Sequence, residues 1–252
     1  MRNCTITNFD DTVCPKPRAA CTTDFLIEDI VITYGVGISM GSVPPDVGGD
    51  CIDGVLARRA VFQSPLKAVY IKPNPAKVGQ NATGLIANIT YEDMVVRDAL
   101  WWTVWIGPQQ DNIRDDVSRA LARPPPPPPF PVTTGAAAVT GSVAVPGDGC
   151  NFTSILPGCS FIYPLCNTTC TTDPQVTVRD VTLRNIVSYD SLLSPGVIVH
   201  NVSNPATGFV FDNVTFVNAG AWPVKEGFWC LNTQGVARGG TFPVPPCFSQ
   251  EE

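Results

Sequence analysis

Short runs of alternating apolar and polar residues recur along the chain, and their spacing is regular. Residues 25–34, 54–63, 84–91, 176–186 and 208–216 are each rich in Val, Ile, Phe and Thr and each read as a strand. Most are followed, after a turn, by a second and shorter apolar run: 37–40, 69–72, 104–106 and 196–200. Consecutive units lie about thirty residues apart, a period that signals a repeat architecture. One such unit is too thin to bury its own apolar side, so neighbouring units must stack into a continuous core. The pattern predicts an all-β fold, a right-handed parallel β-helix (solenoid). A sandwich would need a strand every eight to twelve residues joined by hairpin turns, and no Asn-Gly or Asp-Gly lies between equal flanking strands. The steps Asn88-Ile-Thr90, Asp180-Val-Thr182 and Asn213-Val-Thr215 are read as extended stacking positions, because Thr and Val favour the pleated surface.

The repeat is interrupted once. Residues 109–173 contain the proline run Pro124–Pro129 and four cysteines, Cys150, Cys159, Cys166 and Cys170. Proline runs form stiff, unpaired spacers. The expected organisation is therefore 1–108 as β-helix coils, 109–173 as a disulfide-tied insertion, and 174–252 as further coils ending in a cap. Units of the same type resume after the interruption, which favours one solenoid over two domains joined by a linker. In the cap, residues 222–247, Cys230 and Cys247 are expected to pair.

Composition narrows the function classes. Of 252 residues, 25 are Pro and 21 Gly, and no long stretch repeats every 3.6 residues, so helices are not expected. No apolar run reaches membrane-spanning length. Ten cysteines fit disulfides better than free thiols, and with a single histidine, His200, and no paired C-x-x-C knuckles, neither zinc nor another cofactor is expected. Glycosylation triplets begin at Asn3, Asn81, Asn88, Asn151, Asn167, Asn201 and Asn213. Together with the cysteines they point to a secreted, extracellular protein. The first residues carry no apolar signal region, so a front end lost by truncation is expected. The formal charge of −6 makes nucleic acid and anionic membrane surfaces poor partners. Yet no acid occurs between Asp53 and Glu92, an interval holding Arg58, Arg59, Lys67, Lys72 and Lys77. A solvated basic face and a site for an acidic substrate both fit that asymmetry.

Candidate chemistry begins at Asp10-Asp11. Neighbours on a strand point to opposite faces, so two adjacent carboxylates serve one site only where a strand bends, and Cys14-Pro15-Lys16-Pro17 supplies the bend. Residues 35–42, Gly-Val-Gly-Ile-Ser-Met-Gly-Ser, follow, and then Tyr70-Ile71-Lys72. In this order and spacing the chain resembles the polygalacturonase-type glycoside hydrolases, whose motifs run Asn-Thr-Asp, Gly/Gln-Asp-Asp, Gly-His-Gly and Arg-Ile-Lys. Phe9-Asp10-Asp11 matches the second motif, residues 35–42 the third and Tyr70-Ile71-Lys72 the fourth, and the likeness extends over most of 1–108 and 174–248. The Asn-Thr-Asp strand would precede Met1. Val36 stands where the family has His, and Tyr70 where it has Arg. The resemblance implies inverting hydrolysis of pectin-type chains, with Asp10 as general acid, Asp11 as part of the base pair, and Lys72 and Tyr70 as the substrate-binding positions. It implies an acidic polysaccharide as partner and a monomeric protein. The departures imply weakened catalysis, and a non-catalytic carbohydrate-binding or cell-surface β-helix protein is the alternative. A lyase on this fold would need acid clusters for Ca²⁺, which the strand ends lack. His200 falls on a much later coil than Asp10 and reads as a structural or surface residue. Trp101, Trp102 and Trp105 read either as a sugar-stacking platform or as packing between coils.

Overall fold

Thirteen strands and no helix occur among the described residues of the computed structural model, which are 1–17, 20–43, 50–74, 83–108, 172, 174–221 and 227–251. In chain order the strands are β1 (Arg2–Asn8), β2 (Thr22–Tyr34), β3 (Ile38–Val43), β4 (Cys51–Gln63), β5 (Val69–Pro73), β6 (Gly84–Arg97), β7 (Val104–Ile106), β8 (Val176–Tyr189), β9 (Gly196–Val199), β10 (Ala206–Val217), β11 (Phe228–Leu231), β12 (Thr233–Arg238) and β13 (Phe248–Gln250). Long and short strands go to different sheets. One sheet has the order β1-β2-β4-β6-β8-β10-β12-β13 and the other β11-β9-β7-β5-β3. Every strand pairing in both is parallel. The fold is all-β with parallel sheets, compatible with the expected β-helix. The insertion expected over 109–173, with its proline run and four cysteines, lies outside the described residues except for Thr172. So do Lys77, Asn81 and Trp222.

The long strands bend at fixed places. In five successive rungs, single residues in the left-handed backbone region recur five positions apart: 24, 29 and 34; 54, 59 and 64; 88, 93 and 98; 180, 185 and 190; 208, 213 and 218. The pairing register stacks them in three columns across the sheet. Asp, Asn and Gly tolerate this conformation best, and they fill every position except Tyr34, Arg59 and Ser64. Side chains brace the columns from rung to rung, with Asn185 Nδ2 donating to Asp93 Oδ1 at 3.0 Å and Asn213 Nδ2 to Asn185 Oδ1 at 3.0 Å. Asn88, Asp180 and Asn213, read above as extended positions, are therefore bends at φ 54°, 54° and 57°. The β-favouring Thr two residues on belongs to the next straight segment.

Between bends, apolar residues point inward and stack on their equivalents. Ile27, Ala57, Tyr91, Leu183, Phe211 and Ala237 form one buried column, and small Ala57 makes room for Tyr91 beside it. The Tyr91 hydroxyl crosses the core to donate to the Ile38 carbonyl at 3.2 Å, joining the two sheets.

A second column alternates in charge along the whole larger sheet: Arg2, Glu28, Arg58, Glu92, Arg184, Asp212, Arg238. Glu251 extends it past β13, 3.9 Å from Arg238. Glu28 is its tightest point, buried beneath Arg2, Arg58 and Arg59, with Arg58 at 2.8 Å and Arg59 at 2.6 Å. The hydrogen bond from Arg58, joined by those from Arg59 and Arg2, holds its carboxyl down at about 2 against the opposing effect of desolvation. A folded value below the unfolded one contributes stability that is complete above the ordinary Glu range and is lost as pH falls toward 2. Glu28→Lys, which sets a cation between Arg2 and Arg58, should lower the melting temperature in scanning calorimetry at neutral pH, and more so at low salt. An unchanged melting temperature would deny the column any part in stability.

Two disulfides occur among the described residues. Cys21–Cys51 ties adjacent rungs, and Cys230–Cys247 closes the C-terminal end as expected. Cys4 and Cys14 remain thiols, a departure from the expectation that the cysteines are bonded.

Candidate functional site

Asp10 and Asp11 leave the end of β1 in a tight turn whose geometry is set by their neighbours. The Asn8 amide donates to the Asp11 carbonyl at 3.1 Å, and the Thr12 hydroxyl donates to Asn8 Oδ1 at 3.1 Å. The Val36 N–H donates to the Asp10 carbonyl at 3.0 Å, which pins the turn to the Gly35-Val36-Gly37 segment. Gly35 is required there. At φ +66° its Cβ would strike Asn8, Thr12 and the Asp10 carbonyl. Gly37, at φ +62°, would drive a Cβ into the backbone of Lys67 and Ala68. The glycines that flank Val36 thus serve close backbone approach.

The two carboxyls fall in different environments. Asp10 is exposed, and its Oδ1 accepts the Asp11 N–H at 2.7 Å. Asp11 turns inward and is 19% exposed. Its Oδ1 accepts the Ser39 hydroxyl at 2.9 Å, and its Oδ2 is ion-paired with Lys72, with the Lys16 ammonium 3.8 Å away and the Cys14 thiol at 3.4 Å. Burial pushes the Asp11 carboxyl up, but the Lys72 charge, together with hydrogen bonds from Lys72, Ser39 and Cys14, outweighs it and holds the group below the ordinary range. The Cys14 thiol, which also donates to the Gly41 carbonyl at 2.7 Å, is pushed up to about 12, mainly by burial. It is a hydrogen-bond donor here and not a nucleophile.

Lys72 stands opposite Gly41 in the β3–β5 register and is only 2% exposed. Its ammonium is turned to Asp11. Tyr70, two residues before it on β5, pairs with Ser39 on one side and Trp105 on the other and is buried, its hydroxyl driven above the ordinary range by burial and by the Asp11 charge. The structure adds Lys67 to this group. It is fully buried, with its ammonium 4.0 Å from the Tyr70 ring centre and 4.2 Å from that of Trp105, while Lys72 lies 5.1 Å from the same Tyr70 ring. Desolvation, then the Lys72 charge, lowers the affinity of Lys67 for its proton. A lysine inside the apolar run Leu66-Lys67-Ala68-Val69 was the available sign of a buried amine. Nothing in the sequence placed Cys14 on Asp11.

The remaining candidates separate from this group. Val36 is buried and apolar, and brings no ionisable group to the turn. Trp102 and Trp105 are buried and packed at 4.7 Å between ring centres, with partly exposed Trp101 stacked on Trp102 at 5.7 Å, so packing describes the buried pair better than a platform. His200 is buried just after β9, its Nδ1 2.9 Å from the Thr233 hydroxyl.

Comparison with known proteins adds a limited match. Over 110 residues, 40% of this chain, the sequence is 29% identical to exopolygalacturonase X-1 of Emericella nidulans. The match covers 25% of that protein's length. No family model and no solved structure matches the chain.

Proposed function

We propose that this chain is a polygalacturonase-like glycoside hydrolase on a right-handed β-helix, acting outside the cell on acidic polysaccharides of the galacturonate type, as a monomer and without a cofactor. The observation that carries the reading is the Asp10–Asp11 turn, locked to residues 35–37, with one carboxyl facing solvent and the other held inward by Lys72. The name of the Emericella relative supports the same substrate class. Asp10 protonates the leaving glycosidic oxygen. Asp11, kept ionised by Lys72, acts as general base and takes a proton from the attacking water as its oxygen bonds to the anomeric carbon and the glycosidic bond breaks, so the product inverts at that carbon. Lys72 and Tyr70 serve the substrate through Asp11, Lys72 by fixing its charge and Tyr70 by presenting its ring to the two buried ammonium groups.

A second reading, a non-catalytic carbohydrate-binding protein, is favoured by two observations: buried Val36 in place of a titratable residue, and Asp11 already matched by Lys72. Reducing ends released from polygalacturonate by the full chain separate the two. Asp10→Asn should lower that rate by at least about 10²-fold, and its exposed position predicts an unchanged melting temperature. No release, or release that persists in Asp10→Asn, ends the hydrolase reading. No release with oligogalacturonate still bound leaves the second.

A further inference from the structure

Two unusual features meet beside Asp10. Phe9, the residue before it, is 77% exposed, and its ring stacks on that of Tyr34 with centres 5.2 Å apart and planes 16° from parallel. Tyr34 is 39% exposed and holds φ 63°, the left-handed region that an aromatic residue seldom adopts. Its column is otherwise Ser64, Asp98, Asp190 and Asn218, the polar residues expected at such a bend. A backbone conformation costly for Tyr and a ring left in water both raise the free energy of the folded protein, and such costs concentrate at functional sites.

Lys16 follows the same turn. It is 53% exposed and 3.8 Å from Asp11 Oδ2, an oxygen that Lys72 already neutralises. Its backbone is fixed: Pro15 and Pro17 flank it, the Pro15 carbonyl accepts the Gly41 N–H at 3.0 Å, and its own carbonyl accepts the Thr22 hydroxyl at 3.3 Å. Phe9 and Asp11 are two residues apart, so their Cα atoms lie within about 7 Å. An open aromatic face and an accessible ammonium on a stiff segment thus belong to the short stretch 9–16 that carries Asp10 and Asp11.

We propose that the Phe9–Tyr34 ring pair and Lys16 form a subsite for a single uronate residue of an acidic polysaccharide, the rings covering the C–H face of the sugar and Lys16 pairing with its carboxylate. The subsite rests on the carbohydrate reading above, and it gives the substrate carboxylate a solvent-facing partner where Lys72 is buried. Saccharide faces are apolar enough to pack on aromatic rings, while a lysine recognises a carboxylate as a point charge. The two parts therefore discriminate differently. The rings hold any hexopyranose, and Lys16 selects the acidic one.

Calorimetric titration of the full chain with trigalacturonate and with neutral, carboxyl-reduced galactotriose tests both parts. Phe9→Ala should weaken both ligands about tenfold, and Phe9→Trp should restore them. Lys16→Met should weaken trigalacturonate about fivefold, more at low salt, leave galactotriose unchanged, and be rescued by Lys16→Arg. Wild-type protein that binds no trigalacturonate, or Phe9→Ala and Lys16→Met variants that bind it as wild type does, would overturn the subsite. Equal losses of both ligands in Lys16→Met would overturn the assignment of Lys16. The hydrolase reading fails separately. Binding with this pattern and no reducing ends released defeats catalysis alone, whereas hydrolysis with an unchanged KM in Phe9→Ala defeats the subsite alone.

Discussion

Asp11→Asn should destabilise the protein by about 3–5 kcal/mol, while the double variant Asp11→Asn/Lys72→Met should recover most of that loss. The asymmetry follows from burial. Lys72 is 2% exposed, and without the Asp11 carboxylate its ammonium is left buried beside a second amine, Lys67, and the Tyr70 ring. Lys72→Met alone should cost less, because Asp11 is 19% exposed and keeps the Ser39 hydroxyl at 2.9 Å and Lys16 at 3.8 Å. Urea unfolding of the four proteins closes the cycle, with changes read from the midpoint at constant slope. Strictly additive losses would mean that the pair contributes no mutual energy in place.

Stability should also fall steeply on mild acidification, through one side chain. Burial drops the pKa of His200 to about 3 from an unfolded value of 6.5. Between those two values the unfolded chain binds a proton that the folded one refuses. Stability is therefore complete above pH 6.5 and declines by about 1.4 kcal/mol per pH unit below it, roughly 2 kcal/mol by pH 5 and 4–5 kcal/mol near pH 3. Partners explain the refusal: Nδ1 faces the Thr233 hydroxyl at 2.9 Å, Phe209 packs edge-on at 5.9 Å, and Nε2 has no hydrogen-bond partner among the described residues. His200 is the only imidazole in the sequence, and Lys67, whose proton affinity burial also lowers, acts with the same sign. Unfolding free energies at pH 7.5, 6 and 5 should fall more steeply for wild type than for His200→Gln. The same slope in both proteins would place the effect elsewhere.

Much of this architecture was legible in the spacing of apolar runs. The runs over 25–34, 54–63 and 176–186 fall inside β2, β4 and β8, and 69–72 inside β5, because period-two burial against a stacked neighbour leaves a local trace. The bends were legible but misread. Asp and Asn five residues apart, as in Asn88, Asp93 and Asp98, mark left-handed corners, but the Thr two residues on favours extended backbone and masks that signal. The charge column was not legible, since opposite charges about thirty residues apart become neighbours only once the register is known. At the candidate site, the sequence sets Asp10, Asp11 and Lys72 in order but not the direction of Lys72, because one register step decides whether an ammonium meets solvent or a carboxylate. Phe9 and Lys16 gave no sign of their own; an exposed ring and a surface lysine gain meaning only from what surrounds them.

The alternating column from Arg2 to Glu251 also limits how a chain of this kind can change its length. Removing one rung would bring Glu28 against Glu92, or Arg58 against Arg184, across the new junction. Removing two leaves every neighbour opposite in sign. Such a sheet can gain or lose its strands in pairs, and a single strand copied or dropped sets like charges side by side.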